Sequence, residues 1–122
     1  MSTAKEADKV AQRIQRLETF LNNAPEDTFT RFALALEYLK ADRTTDAEYI
    51  FADIAKKQPD YSGVYYHLGK LYEQQERYEE AFATYSTGID ICGQQQELHA
   101  RQELQQAQMA LRNYLDEEEE DE

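Results

Sequence analysis

Residues 34–38 read Leu-Ala-Leu-Glu-Tyr, and residues 68–72 read Leu-Gly-Lys-Leu-Tyr. The two stretches lie 34 positions apart. The same interval carries Ala47-x-x-x-Phe51 onto Ala81-x-x-x-Tyr85 and Pro25 onto Pro59, and Gly93 falls one interval further on. Self-similarity at such a period is the mark of stacked helical hairpins, each too small to bury its apolar side alone. It directs attention to a binding surface rather than a catalytic pocket.

Working outward from these marks, the chain divides into helical segments. Val10, Ile14, Leu17 and Leu21 recur at spacings of four, three and four. That is one side of a 3.6-residue period, and it predicts a helix over 4–22. Pro25 biases Ala24 away from helix and closes the segment. A second helix is expected over 26–40, with Asp27 or Thr28 as its N-cap. A third follows over 45–57, a fourth over 61–75 and a fifth over 78–92, with Gly93 as its C-cap. The last helix, expected over 94–115, carries one apolar stripe of Ala100, Leu104, Ala107, Leu111 and Tyr114 on a Gln- and Glu-rich background. A single narrow apolar side suits a capping helix at the end of a stack. Residues 116–122 are all acidic and predict a self-repelling, disordered tail.

The composition bounds the rest. With 122 residues, 41% of them hydrophobic, one domain with a real core is expected. Gly (4) and Pro (2) are scarce, which favours helix over strand and loop. The net charge is −12, from 25 acids against 13 Lys and Arg. Without the acidic tail, 18 acids stand against 13 bases, leaving −5. Such a chain does not suit phosphate backbones, which call for clustered cations, so no nucleic-acid partner is expected. Cys92 is the lone cysteine, so no internal disulfide can form. The charged first dozen residues lack the apolar run of a signal peptide, and no segment reaches the ~20 apolar residues of a membrane span. The expectation is a soluble cytoplasmic protein with no membrane association.

At the quoted residues the chain resembles the tetratricopeptide repeat family. The match consists of Leu-Ala or Leu-Gly followed three residues later by Tyr on the first helix of each hairpin. Ala and a large aromatic follow on the second helix, and a Pro closes the repeat. The resemblance implies an all-α, right-handed stack of antiparallel helical hairpins, an α-solenoid of about six helices. Its repeats would span 28–61 and 62–93, with 94–115 as the cap. Leu17 and Leu21 lie one interval before Phe51 and Ala55, so the helix over 4–22 takes the second-helix slot of a truncated repeat. The register lapses at the end, where Gln102 and Glu103 fall in the places of Leu68 and Gly69. Three positions depart from the family pattern: Arg31 in a large-apolar place, Gly93 in place of Pro, and Gly88 where Ala is usual.

The resemblance also implies where a partner would bind. First helices of such hairpins line a concave groove for peptides. Helical spacing puts Phe29, Phe32, Leu36 and Leu39 on that side in the first repeat, and Tyr66, Lys70, Glu73 and His67 in the second. The Phe residues either line an open groove or lie under a neighbouring helix. Some members clamp a C-terminal carboxylate with an Asn that is replaced here by Ala33 and His67, so that mode is not expected. His67 and His99 have no second His or Cys at ligand spacing, and neither a metal nor a cofactor is expected. No nucleophilic triad or phosphate-cradling Gly loop is present, which argues against an enzyme. The function expected is a non-catalytic protein–protein interaction module. The alternatives are a self-associating homodimeric scaffold, and an acidic chaperone or decoy for basic proteins.

Overall fold

The computed structural model describes residues 3–120. Among them lie six helices and no strand: α1 (Ala4–Asn23), α2 (Thr28–Lys40), α3 (Thr44–Lys57), α4 (Val64–Gln74), α5 (Tyr78–Gln94) and α6 (Leu98–Glu120). They form two compact units, one up to Lys56 and one from Lys57 onward.

In the first unit α1 packs on α2. Thr3 starts α1 with a capping box. Its hydroxyl accepts the Glu6 N–H at 3.1 Å, and the Glu6 carboxylate accepts the Thr3 N–H at 3.4 Å. The expected stripe faces inward, with Val10 and Ile14 buried and Leu17 and Leu21 half-buried. Asp27 caps α2 by accepting the Thr30 N–H at 3.1 Å. Leu34, Ala35 and Tyr38 then form the buried side of α2. The Tyr38 hydroxyl donates to Glu18 of α1 at 2.7 Å, and desolvation, together with that carboxylate, pushes its pKa up to about 12. α3 is tied to α2 by Arg31–Asp53 at 2.7 Å and by the Phe32 and Phe51 rings, whose centroids lie 5.7 Å apart. Arg31 thus departs from the apolar pattern in concert with Asp53, which supplies its counter-charge.

The two hairpin turns are built alike. Asp42 (φ 58°) and Glu76 (φ 59°) take the left-handed conformation that halts a helix. The next N–H reaches back to a carbonyl of the last helical turn, Arg43 to Tyr38 at 2.8 Å and Arg77 to Tyr72 at 2.9 Å. Each arginine then covers the tyrosine ring below it, 4.2 and 4.3 Å from the centroid. A side chain at positive φ is strained, whereas Gly is not. Glu76→Gly is therefore expected to stabilise the fold by ~0.5–1 kcal/mol, read as a higher midpoint in urea; a lower midpoint would show that the carboxylate matters more than the backbone.

The second unit is organised around two glycines. A Cβ on Gly69 would overlap the Tyr85 ring, meeting Cδ1 and Cζ at 2.7 and 2.8 Å. A Cβ on Gly88 would meet Tyr65 Cβ at 2.6 Å and Leu104 Cδ1 at 2.9 Å. At Gly88, a departure from the family pattern, α5 meets Tyr65 of α4 and Leu104 of α6 together. α6 buries Leu104, Ala107 and Leu111 against α5 and α4. Gln108 pins it there, donating to the Phe82 carbonyl at 3.1 Å and Ser86 Oγ at 2.7 Å. Of the rest of the stripe, Ala100 is half-buried and Tyr114 is exposed.

Two expectations need correction. Gly93 does not cap α5. The helix runs to Gln94, and the left-handed residue is Gln96 (φ 60°), with the Glu97 N–H returning to the Cys92 carbonyl at 2.9 Å. The joint between α5 and α6 is thus a turn of the hairpin kind. The acidic run is also not unstructured throughout, because α6 continues through Asp116–Glu120. Extending a helix from a packed stem adds a hydrogen bond per residue without a new nucleation cost, and Glu is a good helix former. Residues 121–122 of that run lie outside the described residues.

Candidate partner-binding surface

The six residues singled out for binding fall on α2 and α4, three in each unit. On α2, Phe29 projects into solvent, 74% exposed. Phe32 and Leu36 are half-buried, Phe32 edge-on to Phe51. Only Phe29 is fully available on that helix; Phe32 serves the core as well.

On α4, Tyr66, Lys70 and Glu73 form one row at spacings of four and three. Lys70 Nζ stands 5.6 Å from the Tyr66 ring centroid and 3.8 Å from Glu73 Oε2. Glu73 also accepts the Tyr85 hydroxyl from α5. Burial, with the Glu73 charge beside it, drives the Tyr85 pKa well above its usual value, so this phenol remains a donor. His67 stands perpendicular to Tyr66, ring centroids 5.7 Å apart. Its own burial holds the imidazole pKa below the ordinary value and favours the neutral ring. The row is therefore preorganised, with an aromatic face, a cation and a carboxylate each held by a neighbour.

Sequence reasoning missed a second cluster. Glu37 of α2 is only 8% exposed. Its Oε1 accepts from Arg13 at 2.6 Å and Lys40 at 3.4 Å, while Oε2 is buried without a hydrogen-bond partner. A cleft of about 320 Å³ lies here, lined by Arg13, Arg16, Leu17, Ala33 and Glu37. Lys40, three residues beyond Glu37, was visible in the chain as a partner, but the packing of α1 on α2 was needed to bring Arg13 to the same carboxylate.

Cys92 is fully buried, and desolvation holds its thiol pKa above the usual range. No group of three His, Cys, Asp or Glu side chains suited to a metal occurs among the described residues. No helix there is long and apolar enough to cross a membrane.

The tetratricopeptide repeat model matches residues 38–100, more than half of the chain. The chain belongs to the tetratricopeptide repeat family. It is also similar to a tetratricopeptide repeat domain protein from Salinibacter ruber. The crystal structure of that domain is 42% identical with a TM-score of 0.71, covering 72% of this chain and 98% of the other. A solution structure of a tetratricopeptide repeat domain protein from the same organism is 44% identical with a TM-score of 0.67, covering 71% and 88%. The structure of MamA from AMB-1 shares the fold at 18% identity and a TM-score of 0.59, covering 85% of this chain and 64% of that one. No curated protein matches the sequence. Tetratricopeptide folds generally mediate protein–protein interaction and are typically non-enzymatic scaffolds.

Proposed function

We propose that this tetratricopeptide protein is a non-catalytic adaptor that binds protein partners through its first helices, with α2 and α4 each presenting a binding patch of its own. The observation that carries the reading is the preorganised row on α4. Tyr66, Lys70 and Glu73 are accessible enough to touch a ligand and already held by neighbours, so little side-chain entropy is lost on binding. The exposed Phe29 ring adds an apolar anchor of the type that dominates binding energy. The α4 row suits charged or amide groups that match Lys70 and Glu73, and Phe29 on α2 suits an apolar side chain. A cytoplasmic setting fits the single buried thiol.

The test is affinity capture with the wild-type chain beside Phe29→Ala/Tyr66→Ala. The pair is chosen because Phe32 also supports the core. Loss of an anchor ring at the centre of an interface costs ~2 kcal/mol or more, so the double variant should lose at least tenfold in capture while keeping its helicity. An unchanged set of captured proteins would overturn the assignment of this surface.

A further inference from the structure

In the first unit α1 packs on α2, and in the second α6 packs on α5 and α4. Phe51 of α3 lies against Phe32 of α2, and Tyr85 of α5 lies against Gly69 of α4; both rings are fully buried. Leu17 of α1 stands one repeat interval before Phe51, yet it is only half-buried. It lines the α1–α2 cleft instead, where the first helix of its own hairpin would lie. In that cleft Glu37 Oε2 is buried without a hydrogen-bond partner, a state that costs free energy until a donor arrives. α6 shows the reciprocal situation. It packs on α5 and α4 as a first helix does, while Gln102, Gln105, Gln106 and Met109 on its other side are exposed.

We infer that α6 of one copy docks into the α1–α2 cleft of a second copy, so that two half-repeats complete one hairpin. Charge selects this occupant. Lys5, Lys9, Arg13 and Arg16 recur at spacings of four, four and three, which gathers them on one side of α1. Lys5, Lys9 and Arg16 make no ion pair among the described residues. α6 ends in the carboxylates of Asp116–Glu120. The two helices are of similar length, 20 and 23 residues. Set antiparallel with their centres level, as hairpin partners are, the acidic end of α6 falls beside Lys5 and Lys9. It also meets the positive end of the α1 dipole, whereas at its own C-terminus that charge opposes the dipole. Gln105 and Gln106 come level with Arg16 and Leu17, and they bring amide donors to the region of Glu37. The contact is heterologous, since α6 meets α1 and not another α6. It contains few large apolar groups, so it is weak and sensitive to salt.

The test is sedimentation velocity on the full chain over a hundredfold concentration range, at low and high salt. The average mass should rise above the monomer with concentration at low salt, and the association constant should fall about tenfold or more at high salt. Lys5→Glu/Lys9→Glu should sediment as a monomer, and so should Glu117→Lys/Glu120→Lys, each with unchanged helicity. Mixing the first variant with wild type should not give homotypic pairs of the variant. A chain carrying both pairs of substitutions should associate again, because the charges are exchanged. A wild type that stays monomeric throughout overturns the inference, as do charge variants that associate like wild type. Both outcomes are independent of partner capture on α2 and α4.

Discussion

Gly69→Leu is expected to lower the stability of the fold by about 2–3 kcal/mol, near the upper end of what overpacking costs. The reason is local and steric. The Tyr85 ring occupies the space a side chain at position 69 would need, with ring atoms at 2.7 and 2.8 Å from an ideal Cβ. Tyr85 cannot step aside cheaply, because it is fully buried and its hydroxyl is bound to Glu73. For a domain of this size the change corresponds to roughly 10 °C in melting temperature, measurable by far-UV circular dichroism. Gly93→Ala is the control. There the added Cβ would sit 3.4 Å from Arg101 Nε, against a long flexible side chain, inside a helix that favours Ala over Gly. An unshifted melt for Gly69→Leu would show that α4 and α5 do not approach as closely as described.

Asp53→Ala is expected to cost about 3 kcal/mol, because it leaves the Arg31 guanidinium without its counter-charge in a site where that side chain is only 13% exposed. Removing both partners is a different matter. Arg31→Met with Asp53→Leu takes away two desolvated charges together and supplies apolar volume, so the double variant should lie within about 1 kcal/mol of wild type. Urea unfolding of wild type, Arg31→Met, Asp53→Leu and the double variant gives the coupling directly. A loss below about 0.5 kcal/mol for Asp53→Ala would mean that water reaches the pair freely and the ion pair carries no weight.

The period of 34 residues made most of the architecture legible. It located the hairpins, and the turns that close them carry Asp42-Arg43 and Glu76-Arg77 at the same interval. Gly88 was harder. A glycine announces that something comes close, but the neighbours were Tyr65 and Leu104 on two other helices, which no local pattern names. Gly93 misled because glycine is the preferred left-handed residue, while here Gln96 adopts that conformation under the pull of the Glu97–Cys92 hydrogen bond. The acidic end misled for a related reason. Composition speaks to whether a segment folds alone, and Asp116–Glu120 extends a helix already anchored by Leu104, Ala107 and Leu111. On the candidate surface, helical spacing placed Tyr66, Lys70 and Glu73 on one row. Their restraint by Tyr85, twelve residues beyond Glu73, is a tertiary fact. Arg31 looked like a flaw until Asp53 was seen opposite it.

Cys92 has no accessible surface, and its carbonyl anchors the turn that leads into α6. A reagent can reach the sulfur only when α5 and α6 separate or the unit unfolds. The rate at which the thiol is modified therefore counts opening events and not exposure, and this chain carries a single-atom clock for the lifetime of its final hairpin turn.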